Sequence, residues 1–163
     1  MRFGSFAEDF VASEYEKRTG RIVQRFSSML RHPTAPLIGH VDRLVVPDGA
    51  KSASFRREIR TDTGLECKTA SAYEVSSPDW GEEGTDQIPA GYLVQCAAYM
   101  ALTGCSRWDL AVLFGNHEFR VYRLLRDLEL EAEIIARASE WWERHVIHGD
   151  MPDPSTIEDV RAL

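Results

Sequence analysis

The chain has 163 residues, 28% of them charged and 44% hydrophobic, with a formal net charge of −7. That length and balance suit one compact globular domain burying roughly 70% of its unfolded surface, and they exclude a disordered or fibrous chain. The acidic balance also excludes a protein that coats nucleic acid nonspecifically, because such binding rests on many lysine and arginine contacts to phosphate.

Residues 3–18 have helical periodicity, ended by Gly20. The polar, acidic start of this helix is unlike the basic-then-apolar opening of a signal peptide. No later apolar run approaches the ~20 residues that span a bilayer, so no membrane association and a cytoplasmic location are expected. Counting from Glu8, the positions three, four and seven further on are Val11, Ala12 and Tyr15, while Asp9, Ser13, Glu16 and Lys17 form the opposite, polar face. A carboxylate on such a half-buried stripe costs free energy unless it is paired or bound to a metal. Placement near the positive end of the helix dipole is the alternative account of Glu8.

Residues 21–26 read as a short strand, and Pro33 and Pro36 break the chain before 37–46, the clearest strand. Asp42 lies inside that strand, and Pro47, Asp48 and Gly49 form the turn that stops it. Residues 50–63 read as a hairpin excursion with a strand at 54–59, and 64–69 as a further strand. Lys51, Arg56, Arg57 and Arg60 make this excursion locally basic, which suits either contact with DNA phosphates or a solvated charged edge. Residues 76–84 read as a loop with an exposed Trp80, and 88–102 as a helix opened by Pro89 and closed by Gly104. Strands at 108–114 and 119–125 flank the turn 115–118.

Asp127 then caps a long amphipathic helix to about residue 148, with Ile134, Ala138, Trp141, Trp142 and His145 on or near its buried stripe. The two tryptophans read as core and interface packing. The segment from Met151 reads as a short helix or a frayed tail, giving one domain over 1–150 and a tail over 151–163. Cys67, Cys96 and Cys105 match neither a metal motif nor a disulfide framework and are expected as reduced thiols, two of them in the core. The order of elements predicts an α/β fold, a three-layer sandwich with a central mixed sheet flanked by helices.

Glu66 and Lys68 stand two apart on a strand and project from one face, with Cys67 pointing the other way. An acid there can hold a divalent metal while the lysine orients or helps deprotonate a water, and Asp42 can supply a second acid if the two strands are close. Phosphodiester hydrolysis needs this combination, since metal ions neutralise the transition state, activate the attacking water and stabilise the leaving oxygen. Magnesium is the hard cation expected for oxygen ligands. Gln95 and Tyr99, four apart on a helix, face one way and can hydrogen-bond a phosphate oxygen, although a core tyrosine beside a half-exposed glutamine is equally ordinary.

Several ordered motifs carry a resemblance to a known family: Gly39-His40-Val41-Asp42-Arg43-Leu44, Leu65-Glu66-Cys67-Lys68-Thr69-Ala70-Ser71, Trp80-Gly81, Pro89-Ala90-Gly91-Tyr92-Leu93-Val94-Gln95 and Tyr99-Met100-Ala101-Leu102-Thr103-Gly104. The similarity runs on through Phe119-Arg120-Val121-Tyr122-Arg123, Asp127, Trp141-Trp142 and Gly149. Together they resemble the YqaJ-type viral recombinases, phage-related relatives of lambda exonuclease in the PD-(D/E)XK nuclease superfamily, with its restriction endonuclease-like core.

The resemblance implies metal ligation by Glu8, Asp42 and Glu66 with the Cys67 carbonyl as a further ligand, and Lys68 at the nucleophilic water. Gln95 and Tyr99 would touch DNA near the scissile phosphate. Asp42, Glu66 and Lys68 are thus the expected catalytic set, with one or two Mg2+ ions, or Mn2+ as substitute. Asp48 follows Pro47 and imitates the superfamily's name, but it falls in a turn, so Asp42 is the acid expected. His40 is expected as a supporting or gap-filling residue beside Asp42.

The implied activity is a phage-type exonuclease acting on duplex DNA ends in recombination, in a bacterial or phage-infected cell. A single-strand annealing protein and a homo-oligomer are among its implied partners. Relatives carry a further segment before the first helix that helps grip the DNA end, whereas only three residues precede Gly4 here. Two alternatives stand beside the exonuclease: a structure-dependent or nicking endonuclease, and a non-catalytic remnant that binds DNA or a partner.

Overall fold

The computed structural model describes residues 2–155. The first helix, α1 (Arg2–Thr19), ends where Gly20 takes a positive φ of 70°, a conformation that glycine adopts without a side-chain clash. Five strands build the central sheet: β1 (Val23–Arg25), β4 (Arg43–Val45), β7 (Thr63–Ala70), β8 (Arg107–Phe114) and β9 (Glu118–Leu125), in the order β1-β4-β7-β8-β9. Four short strands make two separate hairpins, β2 (Leu30–Arg31) with β3 (Ile38–Gly39) and β5 (Ser54–Phe55) with β6 (Glu58–Ile59).

Strands β7 and β8 are parallel and joined by the helix α2 (Ala90–Thr103), while the other sheet pairings are antiparallel. A parallel neighbour requires such a long crossover. Alternation along the strands then sorts the core into two layers. Leu65 and Cys67 of β7, Ala111 of β8, and Phe119 and Val121 of β9 pack against Val11, Ala12 and Tyr15 of α1. On the other face, Leu44, Leu110, Val112, Phe114, Tyr122 and Leu124 pack with Cys96 and Met100 of α2. This is the mixed sheet between helical layers that the order of elements predicts. A buried polar tie also fixes α1 to the sheet, as the Tyr15 hydroxyl donates to Asp109 Oδ2 at 2.6 Å and Arg21 approaches the same oxygen at 3.3 Å.

Four expectations need correction. The strand expected over 37–46 is two strands in different sheets, because Ile38–Gly39 turns back onto Leu30–Arg31 and only Arg43–Val45 joins the main sheet. Asp42 therefore precedes β4 instead of lying inside a strand. The strand expected at 54–59 is a tight hairpin with Arg56 and Arg57 as its turn.

Trp80 is buried, its ring set against Tyr92, Phe114 and Tyr122 at centroid distances of 5.5, 5.0 and 5.3 Å. Flanking loop residues disguised it, since the partners lie far away in sequence. Finally, the helix α3 (Leu128–Trp142), capped by the Asp127 side chain and followed by a π turn (Glu143–Ile147), buries no apolar side chain fully. Trp141 and Trp142 stay 52% and 43% exposed. Its one buried side chain is Glu131, held by Arg126 through Nε at 2.8 Å and Nη2 at 2.9 Å.

All three cysteines are free thiols and all three are buried. Residues 151–155 are irregular, and the remainder of the expected tail lies outside the described residues.

Candidate active site

The pairing of β4 with β7 is short and places Arg43 opposite Leu65 and Leu44 opposite Gly64. Continuing that register by one step sets Asp42 across from Glu66. The Asp42 side chain takes over there from the missing ladder partner, as its Oδ2 accepts a hydrogen bond from Cys67 N at 2.9 Å. In an extended strand the N–H and C=O of one residue point to the same edge. The Cys67 carbonyl therefore faces the same gap beyond β4, which opens into a pocket.

That pocket is about 360 Å³ and is lined by Ala7, Glu8 and Val11 of α1, by Asp42, by Glu66, Cys67, Lys68 and Thr69 of β7, and by Gln95 and Tyr99 of α2. Helices from both layers thus meet the sheet at this point. The close approach of β3 to α2 helps to shape it: a Cβ on Gly39 would stand 2.9 Å from the Tyr99 ring and from Leu102 Cδ1, so glycine lets the hairpin seat against the helix that carries Tyr99.

Glu66 is the centre of the pocket's hydrogen bonding. Its Oε1 accepts from Lys68 Nζ at 2.6 Å and from Gln95 Nε2 at 2.8 Å, and the same Gln95 nitrogen lies 3.0 Å from the Tyr99 hydroxyl. Its Oε2 is buried without a hydrogen-bond partner among the described residues. Burial and the neighbouring Asp42 charge raise the Glu66 pKa from 4.5 to about 7, against the pull of Lys68. Asp42 is raised too, first by burial and then by Glu8, with the Cys67 N–H and Lys68 opposing.

Lys68 loses to burial but gains more from Glu66 and Asp42, so its ammonium is held more firmly than usual. The ammonium also lies 5.6 Å from the centre of the Tyr92 ring. Burial raises the Tyr99 hydroxyl as well, with Glu66 and Asp42 adding to the rise against the hydrogen bond from Gln95.

Glu8 is accounted for by a buried partner, Arg43. Arg43, 4% exposed, donates through Nη1 to Glu8 Oε1 at 2.5 Å and to the Asp42 carbonyl at 2.7 Å, while its Nη2 reaches Asp9. A charged residue inside the apolar run Val41–Val45 was the available signal, yet its partners lie more than thirty residues away in α1.

The fit to a divalent cation can be judged from these contacts. A buried acid, Glu66, and a half-buried one, Asp42, both with raised pKa values, form with the orphaned Glu66 oxygen and a carbonyl facing the same gap an oxygen-only set with excess negative charge, as a hard cation prefers. Among the described residues, no three acidic, histidine or cysteine side chains are grouped closely enough to hold an ion by themselves. The donors on offer are therefore two carboxylates, a carbonyl and, after release from Arg43, Glu8.

The expected residues Glu8, Asp42, Glu66, Cys67, Lys68, Gln95 and Tyr99 are thus brought together. His40 is not among them: it is exposed and does not line the pocket, because the chain breaks from strand geometry between β3 and β4. Asp48 sits exposed in the turn closed by Ala50 N on the Pro47 carbonyl. Arg56, Arg57 and Arg60 lie on or beside the β5–β6 hairpin and do not line the pocket either.

Comparison with known proteins bears on this arrangement. The family model described as the YqaJ-like viral recombinase domain matches residues 1–106. The uncharacterized protein YqaJ of Bacillus subtilis (strain 168) is 37% identical over 153 residues, which is 92% of this chain and 42% of that protein, so the chain spans less than half of that relative's length. Among solved structures, an alkaline exonuclease (LHK-Exo) from Laribacter hongkongensis superposes with a TM-score of 0.63 at 22% identity, over 84% of this chain and 63% of that one. LHK-Exo in complex with dAMP superposes with a TM-score of 0.63 at 21% identity, over 92% of this chain and 75% of that one. At these identities the likeness concerns the fold.

Proposed function

The chain belongs to the family of YqaJ-like viral recombinase domains, and from that premise we propose that it is a magnesium-dependent DNA nuclease of the phage recombination type, an exonuclease acting at duplex ends. The observation that carries the reading is the convergence of Asp42, Glu66 and Lys68 with the gap-facing Cys67 carbonyl in one pocket. The fold shared with an alkaline exonuclease, which in one structure is bound to dAMP, supports it.

In this reading Asp42, Glu66 and the Cys67 carbonyl would hold the ion, together with Glu8. A bound divalent cation supplies charge neutralisation and Lewis-acid polarisation of the scissile phosphate. Its charge would favour the ionised form of both acids, whose pKa values burial and a neighbouring carboxylate raise without it. Lys68 acts as an ammonium that donates toward the attacking water and the phosphate oxygens, fixed in direction by Glu66 and by the Tyr92 ring. Gln95 fixes the Glu66 carboxylate, and Tyr99, at the pocket wall, offers its hydroxyl to a phosphate oxygen. Manganese substitutes for magnesium.

The test is digestion of a linear duplex and a covalently closed circle of the same sequence, with magnesium and with EDTA. The expected result is loss of the linear DNA alone, and only with metal. Cutting of the circle identifies an endonuclease, and an intact substrate in every lane contradicts the proposal.

A further inference from the structure

The pairing of Ser54 with Ile59 and Phe55 with Glu58 leaves Arg56 and Arg57 as a two-residue hairpin turn. Both have left-handed backbones, with φ of 48° and 74°, and among the described residues no other non-glycine residue has a positive φ. A type I′ turn needs this conformation at both positions, and Asn-Gly or Gly-Gly is the usual way to supply it. Two consecutive arginines there cost free energy in the fold, and such local strain is characteristic of places where side chains serve a function.

The side chains themselves are presented outward. The guanidinium carbons of Arg56 and Arg60 lie 5.3 and 5.1 Å from the centre of the Phe55 ring, which is 51% exposed. A guanidinium laid over a ring loses mobility and keeps its N–H donors free at the rim. Arg60 is also bonded to Glu58, at 2.6 Å. Among the described residues no carboxylate comes within ion-pair distance of Arg56 or Arg57, whereas Arg18, Arg21, Arg25, Arg43, Arg120 and Arg126 each have one. The base of the hairpin is firm, since Gln24 Oε1 accepts from Ala53 N at 2.7 Å and Ser54 N at 3.1 Å, and Ala53 and Ile59 pack in the core.

We propose that the β5–β6 hairpin is a phosphate grip for DNA, separate from the carboxylate pocket, in which Arg56 and Arg57 each engage a backbone phosphate and Phe55 holds Arg56 ready. The inference rests on the reading of the chain as a DNA nuclease. It accounts for two strained positions being given to arginines that have no carboxylate partner among the described residues. Contact of this kind reads the backbone and carries no sequence preference.

The experiment is binding of the full chain to a labelled linear duplex in EDTA, where no cutting occurs, over a series of KCl concentrations. Replacing the turn by Arg56→Asn with Arg57→Gly should make the plot of log affinity against log salt shallower by about 2, since each phosphate contact contributes roughly 0.9. The same variant should melt at the same temperature or higher, because it supplies the residues that the turn geometry favours. Phe55→Ala should keep the salt slope and lose about threefold in affinity, because Arg56 loses the ring that holds it.

Arg137→Gln with Arg144→Gln removes the same charge from two arginines already paired with Glu133 and Asp150, and it should leave the slope unchanged. An unchanged slope in the turn variant, an equal change in the Arg137 and Arg144 variant, or a lower melting temperature of the turn variant overturns the grip. If the wild-type chain cuts DNA with magnesium while the turn variant keeps its slope, the grip alone fails. If the wild-type chain neither cuts nor binds DNA, the nuclease reading fails, and the grip with it.

Discussion

Neutralising Glu66 should stabilise the metal-free protein near neutral pH. This carboxyl group is 2% exposed, and its pKa rises from 4.5 to about 7, first through burial and then through Asp42. A folded pKa above the unfolded one means that the folded state binds the proton more tightly. The stabilisation from this group is therefore complete below about pH 4.5 and is lost as the pH rises through about 7. The rise of 2.5, from 4.5 to about 7, is worth ~3 kcal/mol at ~1.4 kcal/mol per unit.

Glu66→Gln keeps the shape and removes the charge. Its carbonyl oxygen can still accept from Lys68 and Gln95, and its amide can donate toward Asp42. Urea denaturation followed by tryptophan fluorescence, in EDTA at a series of pH values, should find variant and wild type similar near pH 4.5, with the variant ahead by up to about 3 kcal/mol near pH 8. Magnesium should close that gap by stabilising the wild type alone. A variant no more stable than wild type near pH 8 in EDTA would refute the reasoning.

Further expectations follow from single contacts. Arg43→Leu removes the buried partner of Glu8 and Asp9, and because both acids reach solvent the cost should be about 2 kcal/mol, below that of a fully buried pair; tighter magnesium binding by calorimetry should accompany it, since Glu8 no longer has to leave Arg43 to reach the ion. Gly64→Ala would place a Cβ 2.3 Å from the fully buried Trp108 ring, so overpacking should lower stability by at least ~2 kcal/mol in a urea titration. Asp127→Ala removes the cap that accepts from Glu129 N and Leu130 N, at about 1 kcal/mol by the same measurement.

Much of the pocket was legible because it follows from short-range geometry. Strand alternation put Glu66 and Lys68 on one face, helical spacing put Gln95 and Tyr99 on one side of α2, and the Val11, Ala12, Tyr15 stripe singled out Glu8. Asp48 could be set aside because Pro47-Asp48-Gly49 is turn chemistry.

What escaped depends on partners far along the chain. The apolar run before Asp42 looked continuous, yet pairing of Ile38 with Arg31 pulled its first half into a separate hairpin. Trp80 is buried by Tyr92, Phe114 and Tyr122, none of them local. The apolar stripe of α3 is legible as a pattern, but Ile134 and Ala138 are only half-buried and Trp141 and Trp142 exposed, because periodicity reports which residues share a face and is silent on what covers it. Arg43 was invisible as a clamp for the same reason, since its meaning lies in Glu8 and Asp9.

The central claim is that Asp42, Glu66 and Lys68 form a metal-dependent DNA-cutting site. Its most direct test is magnesium-dependent digestion of a linear duplex by the wild type, Lys68→Ala and Asp48→Ala, each first confirmed as folded. Lys68→Ala should be slower by at least about a hundredfold, and Asp48→Ala should cut at the wild-type rate. Wild-type cutting by Lys68→Ala would contradict the account.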